Sequence, residues 1–297
     1  MSFSGDAKAE LCRVPINRSC CAVAEVYGVL LFGFQFSARE IRVITGCAPF
    51  AKRLPRLMQR AFGFAPDARA GGAKTTFTLT DPERIRRVFG AFGYDADSIL
   101  VNHINLGVLE EDCCKAAFLR GAFLAGGSVT DPSKRCHLEL VTDHKNVAGE
   151  TVSLLLEMGF SPRVTARAGH QVIYFKQSEA AEDFFTTIGA SGAAMTLMSA
   201  KIEKEMRNTI NRQINCDSAN ADKTVSAAQA QLARIREIER EIGLENLPPD
   251  LAEVALLRIA NPAISLADLA LLADPPVTKS CINHRFRKLM TYTPKES

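Results

Sequence analysis

The carboxyl-terminal part of the sequence carries side chains suited to hydrogen bonding with base edges and to neutralising phosphate. Ile282, Phe286 and Leu289 recur at helical spacing and are expected to face a core, which leaves the polar and basic residues of this segment outward. In the major groove Asn pairs best with adenine and Lys with guanine, and basic side chains also neutralise phosphate. The residues predicted to contact double-stranded DNA are Ser265, Thr278, Lys279, Ser280, Asn283, His284, Arg285, Arg287 and Lys288.

The elements that must present these residues follow a helix-turn-helix pattern. The predicted helices cover 249–260, 266–272 and 279–290. Ser265 and Thr278 have the side chains of N-caps, and the segment "ADPPV" makes the turn before the third helix. The first turns of that helix are expected to reach base edges and its later cations to meet phosphate.

A helical connector precedes this module. Residues 200–215 have an apolar stripe at helical spacing, formed by Ile202, Met206, Ile210 and Ile214. A polar stripe beside it is a candidate for secondary DNA contacts and consists of Arg207, Asn208, Asn211 and Arg212. Side chains that face water or a neighbouring loop explain the polar stripe equally well. Residues 216–224 predict a break before a second helix over 224–242, which is either a spacer or the first helix of the carboxyl-terminal domain.

An internal repeat organises the first two thirds of the chain, once over 18–95 and once over 111–190. Cys20-Cys21 corresponds to Cys113-Cys114, Gly28 to Gly121, and Gly33 to Gly126. Each copy opens with an apolar helix that carries glycines, and the pattern of each copy is αββαββα. Glycines at matching places predict that the two opening helices pack closely about a pseudo-two-fold axis.

The segment "LRGAFLAGG" at 119–127 resembles the LAGLIDADG motif of homing endonucleases. The resemblance implies paired helices at a domain interface, with an acidic residue near each helix end that binds the catalytic metal. Gly33 and Gly126 stand at one acidic position here, and Leu31 and Leu124 at the other. A hard cation such as Mg²⁺ needs oxygen ligands, which glycine and leucine side chains do not supply. We therefore expect that the protein is not an enzyme and binds no cofactor. The alternative is an active metal-dependent homing endonuclease or maturase that uses a different metal site.

Two further motifs, "RNTINRQINCDSANADKT" at 207–224 and "VTKSCINHRFRKL" at 277–289, are similar to the WhiA family of bacterial regulators. Cys281 departs from the expected glycine but weakens no predicted contact. The resemblance implies a transcription-type DNA-binding protein linked to cell division and chromosome segregation, and to sporulation in some lineages. It also implies that the duplicated domain binds a protein partner, such as another transcription factor or RNA polymerase. A division-machinery protein that touches DNA only incidentally is a further alternative.

The repeat and helix patterns predict an α+β protein in which a duplicated αββαββα domain precedes an all-α helix-turn-helix domain, and the resemblance identifies the duplicated domain as LAGLIDADG-like. The predicted domains cover 1–195, 196–243 and 244–297, the middle one being the connector. The net charge is only +3, so any basic surface must be local. A second such surface, or merely a solvated face, lies within 39–74 and includes Arg39, Arg42, Lys52, Arg53, Arg56, Arg60, Arg69 and Lys74.

The lack of a recognisable targeting signal and the pattern of cysteines predict a protein of a reducing compartment. The first residues lack the apolar stretch of a signal peptide, and no segment is long and apolar enough to span a membrane. We therefore expect a cytoplasmic, nucleoid-associated protein with no membrane partner. The nine cysteines include two adjacent pairs but no CxxC. Adjacent pairs suit a zinc site poorly, so we expect small buried thiols without a metal or disulfides.

Overall fold

The computed structural model describes residues 2–96 and 101–293, and it has the predicted α+β fold. The chain divides into two compact units, Met1–Glu205 and Met206–Ser297, here called the amino-terminal unit and the carboxyl-terminal unit. Each has its own hydrophobic core. The division falls inside the predicted connector, because the helix α8, Ser191–Glu241, contributes residues to both units.

The amino-terminal unit contains the repeat, and the αββαββα pattern of each copy is confirmed. The first copy consists of α2 Ser19–Leu31, β1 Gln35–Phe36, β2 Ile41–Thr45, α3 Ala48–Phe62, β3 Asp67–Gly71, β4 Lys74–Leu79 and α4 Pro82–Ala91. The second consists of α5 Asp112–Gly126, β5 Gly127–Val129, β6 Leu138–Thr142, α6 Lys145–Glu157, β7 Arg163–Arg167, β8 His170–Phe175 and α7 Ser178–Ile188. A helix that the sequence analysis did not predict, α1 Phe3–Leu11, precedes them and buries Ala7 and Leu11.

Each copy forms a four-stranded antiparallel sheet, with strand orders β1-β2-β4-β3 and β5-β6-β8-β7. Val43 pairs with Phe77 in the first sheet, and Leu140 pairs with Ile173 in the second. These four side chains are buried, whereas the edge strands β3 and β7 are exposed along their whole length. The central strands therefore anchor each sheet to the helical core.

The opening helices α2 and α5 pack backbone to backbone, as their glycines predict. A Cβ atom at Gly28 would overlap the carbonyl oxygen of Phe118 and lie 2.9 Å from the amide nitrogen of Ala122. A Cβ atom at Gly121 would overlap the carbonyl oxygen of Glu25. Because Glu25 and Phe118 occupy equivalent places in the two copies, the contact is reciprocal, as a pseudo-two-fold axis requires.

The carboxyl-terminal unit is helical. Its later elements are α9 Pro249–Ala260, α10 Leu266–Leu271 and α11 Lys279–Met290. The last turns of α8 share their core through Ile235 and Ile238. The sequence left open whether the helix predicted over 224–242 is a spacer or part of the carboxyl-terminal domain, and its last turns belong to that domain.

The predicted break at 216–224 is wrong, since α8 continues through it. No glycine or proline occurs between Gly192 and Gly243. The Asn, Asp and Ser residues of this segment weaken a helix without interrupting its backbone hydrogen bonds. The Thr224 hydroxyl donates to the Asn220 carbonyl at 2.9 Å, one turn back, which fits a continuous helix.

Candidate nucleic-acid interface

The helix α11 has one face in the core and the other in solvent. Ile282, Phe286 and Leu289 are 0%, 2% and 0% exposed, which confirms the predicted inward face. The Thr278 hydroxyl accepts a hydrogen bond from the Cys281 amide at 3.2 Å and so caps the helix as predicted. The orientation of the helix is therefore set by apolar burial and by its cap.

The outward face of α11 carries most of the residues predicted to contact DNA. Lys279, Ser280, His284, Arg287 and Lys288 are exposed, and Asn283 is half-buried. The side chains that line an open hollow of about 540 Å³ beside the helix include Asn283, His284, Arg287 and Lys288, together with Gln231 of α8. The arrangement offers a cationic, hydrogen-bonding surface to a polyanion.

Besides Thr278, two further predicted contact residues have structural partners. The Ser265 hydroxyl accepts from the Asp268 amide at 3.3 Å and donates to the Asp268 carboxylate at 2.7 Å, so it caps α10. Arg285 donates to the Glu253 carboxylate at 2.7 Å and thereby ties α11 to α9. Glu253 also accepts from the amide of Asp274, in the turn before α11. These interactions position the outward face of α11 and occupy groups that the sequence assigned to DNA.

Arg258 is a supporting residue whose role the sequence analysis missed. It is 1% exposed and donates to the side-chain oxygen of Gln231 at 3.0 Å and to the Ile264 carbonyl at 2.7 Å. Its guanidinium lies 5.5 Å from the ring centre of Phe286. Burial lowers the pKa of Arg258. Its position one turn after Val254, on the apolar face of α9, was the available signal.

The polar stripe of α8, Arg207, Asn208, Asn211 and Arg212, is exposed on one face of the helix. The neighbouring apolar stripe is also exposed, for example Met206 at 60% and Ile214 at 58%. Exposure agrees with either of the two interpretations of the polar stripe, contact with DNA or contact with water.

By the resemblance to the LAGLIDADG motif, the ends of α2 and α5 correspond to the acidic positions of a homing endonuclease. A Cβ atom at Gly126 would overlap the Val141 carbonyl oxygen and come within 3.0 Å of the Phe32 carbonyl oxygen. The adjoining cavity, of about 390 Å³, is lined by Gly33 and Gly126 and, among the described residues, by one carboxylate, Asp143. Asp143 is itself hydrogen-bonded to His170. The backbone thus leaves no room for a carboxylate side chain at Gly126.

The predicted basic surface within 39–74 needs a correction at Arg53. Its guanidinium is 4% exposed and donates to both carboxylate oxygens of Glu25, at 2.6 and 2.8 Å. Arg120 also donates to Glu25, at 3.2 Å. Arg42 of β2 is paired at 2.6 Å with Glu40, which lies just before that strand. Arg53 is a core residue because α3 turns it inward toward a buried carboxylate.

The expectation of buried thiols is also wrong for most cysteines, since only Cys114 of the nine is buried. The sequence analysis discounted a metal because adjacent cysteines suit a zinc site poorly. That reason is wrong, because the pairs Cys20-Cys21 and Cys113-Cys114 lie together in space. Within the described residues, no helix combines the length and apolar character needed to cross a membrane.

Both units of the chain are similar to known protein families. The family model "WhiA LAGLIDADG-like domain" matches residues 115–207, and "WhiA C-terminal HTH domain" matches 210–293. The probable cell division protein WhiA of Ruminiclostridium cellulolyticum is 38% identical over 97% of this chain and 96% of its own length. The Heliobacterium modesticaldum protein of the same name is 36% identical over 97% of this chain and 95% of its own.

The crystal structure of full-length WhiA from Thermotoga maritima has the same fold, with a TM-score of 0.60 and 24% identity over 98% of this chain and 97% of that one. At this identity the likeness concerns the fold alone. Taken with the relatives' near full-length similarity, these matches show that the chain belongs to the WhiA family, with a LAGLIDADG-like domain and a carboxyl-terminal helix-turn-helix domain.

Proposed function

We propose that this protein is a non-enzymatic, sequence-specific DNA-binding regulator that reads the major groove through α11. The observation that carries the proposal is the two-sidedness of α11. Its apolar face completes a helix-turn-helix core, and its opposite face presents Lys279, Asn283 and Arg287 outward. Membership of the WhiA family supports the same assignment.

The cellular role that we propose is regulation of cell division and chromosome segregation, with sporulation in some lineages, by a cytoplasmic protein that associates with the nucleoid. Relatives named as probable cell division proteins support the first part. The amino-terminal unit would serve as a second surface, for another transcription factor, for RNA polymerase or for DNA phosphate. Exposed Arg39, Arg69 and Lys74 suit phosphate, and the polar stripe of α8 would add secondary DNA contacts.

The decisive experiment replaces Lys279, Asn283 and Arg287 together by alanine. Affinity is measured by fluorescence anisotropy for a duplex selected in vitro by the wild type and for a duplex of random sequence. Because each lost base contact costs about 1–3 kcal/mol, loss of the base contacts of Lys279 and Asn283 should lower affinity for the selected duplex at least about thirty-fold, and loss of the Arg287 phosphate contact should lower it further. Loss of two cations should also lower the slope of log affinity against log salt concentration by about 2.

A matched control is the double variant Arg236→Ala and Arg240→Ala, which removes the same charge from exposed positions on α8. It should keep the preference for the selected duplex. If the triple variant binds both duplexes as the wild type does, α11 is not the reading element. If both variants lose affinity equally, net charge rather than contact explains binding, and a protein that touches DNA only incidentally becomes the better account.

The absence of nuclease activity is tested separately. Supercoiled plasmid incubated with the protein and Mg²⁺ or Mn²⁺ should stay uncut, because the cavity beside Gly33 and Gly126 contributes one carboxylate, Asp143, from the described residues. Metal-dependent cleavage that survives Asp143→Ala and follows the protein through purification would place a catalytic site elsewhere and would also overturn the non-enzymatic assignment. Cleavage that disappears in Asp143→Ala would show that the cavity is catalytic and would overturn the non-enzymatic assignment.

A further inference from the structure

The two cysteine pairs of the repeat converge on one point. The Sγ atoms of Cys20, Cys21, Cys113 and Cys114 all lie within 4.8 Å of one another. Cys20 is exposed and Cys114 is buried, while the other two are half-buried, so the cluster sits at the surface with one side closed. Each pair is adjacent in sequence, and it is the pairing of α2 with α5 that makes a four-sulfur group.

Two features beside the cluster favour negative charge on sulfur, and they act against burial, which raises the pKa of the Cys21 and Cys114 thiols. Both pairs occupy the first turns of their helices, α2 and α5, where the helix dipole stabilises anions. Neither helix has a side chain that caps its first amides. In addition, the Arg18 guanidinium donates to the Cys113 Sγ at 3.3 Å. Two helix amino termini and one cation therefore surround the four thiols.

We propose that Cys20, Cys21, Cys113 and Cys114 bind one metal ion as a tetrathiolate, with zinc the preferred metal, and that this ion fastens the two repeats together. Four thiolates are a soft donor set, which selects zinc and related metals rather than Mg²⁺ or Ca²⁺. Zn–S bonds of about 2.3 Å in a tetrahedron place sulfur atoms about 3.8 Å apart, within the observed spread. The excess negative charge of such a centre is offset by Arg18 and the helix dipoles.

The competing arrangements are two disulfides or an iron–sulfur cluster. Disulfides would draw the sulfurs into two bonded pairs, whereas here all four share one small volume. An iron–sulfur cluster places several irons and sulfides between its cysteines and so needs a wider cage. Both features favour a single ion at the centre of the four sulfurs.

The test uses the full chain, expressed with zinc and purified under anaerobic, reducing conditions without chelator. Mass spectrometry of the metal content should find about one zinc per chain, bound with nanomolar or tighter affinity in a chelator competition. Replacement of zinc by Co²⁺ should give the visible absorption of tetrahedral cobalt and a thiolate charge-transfer band. Arg18→Gln should weaken zinc binding by about tenfold or more, since it removes a partner of a ligand.

Cys20→Ser is the informative ligand variant because Cys20 is exposed and its replacement should leave packing intact. It should lose stoichiometric zinc on dialysis, while Cys216→Ser, another exposed cysteine, should retain it. Protein that stays metal-free after dialysis against zinc, or that holds these four residues as disulfides under reducing conditions, would overturn the proposal. One iron per chain would keep the tetrathiolate site but overturn the choice of zinc.

Discussion

Glu25→Ala is expected to lower the free energy of unfolding of the amino-terminal unit by about 3–5 kcal/mol. The carboxylate is 2% exposed and accepts hydrogen bonds from Arg53 and Arg120. Alanine would leave both guanidinium groups buried without a counterion. Arg53 also donates a hydrogen bond to the backbone carbonyl of Val14, and Arg120 donates one to the carbonyl of Ile188. One carboxylate therefore links α2 to α3 and α5.

The measurement is urea unfolding followed by tyrosine fluorescence, which reports mainly on the amino-terminal unit because it contains Tyr27, Tyr94 and Tyr174. The control is Glu83→Ala, which breaks an exposed pair with Arg86 and should change stability by less than about 1 kcal/mol. If Glu25→Ala has as small an effect as Glu83→Ala, the buried triad is not what joins these helices.

Gly121→Ala is expected to destabilise the same unit by about 3 kcal/mol. An added methyl group would overlap the Glu25 carbonyl oxygen and lie 2.9 Å from its carbonyl carbon. Both obstacles are backbone of a helix in the core, so they cannot rotate away, and the pair α2 and α5 must separate. Gly28→Ala should behave alike, since it meets the Phe118 carbonyl in the same manner.

Gly149→Ala is a matched control because Gly149 lies inside α6 and an added Cβ would meet no atom within 4 Å. Alanine there should stabilise the helix by up to about 1 kcal/mol. Hydrogen exchange of the α2 and α5 amides should increase in Gly121→Ala and stay unchanged in Gly149→Ala. Equal stability of the two variants would show that the helices do not depend on close backbone approach.

The local patterns of the sequence determined much of this protein. Hydrophobic periodicity predicted the helices and central strands of both copies, because buried faces repeat with the period of their element. The core face of α11, the cap at Thr278 and the glycine contact of α2 with α5 followed from residue type and spacing alone. The sequence alone likewise showed that positions 33 and 126 carry glycine rather than a carboxylate residue.

Contacts between distant segments were decided only by the tertiary structure. Arg53 and Arg285 look like surface cations in sequence, and the partners that redirect them, Glu25 and Glu253, belong to other helices. The continuity of α8 was missed because composition weakens a helix only by degrees, while glycine or proline is what ends one. The four-cysteine cluster needs two helices placed side by side, since neither pair reaches the other along the chain. Contacts of this kind depend on how distant segments pack, and the spacing of residues within one segment does not determine that packing.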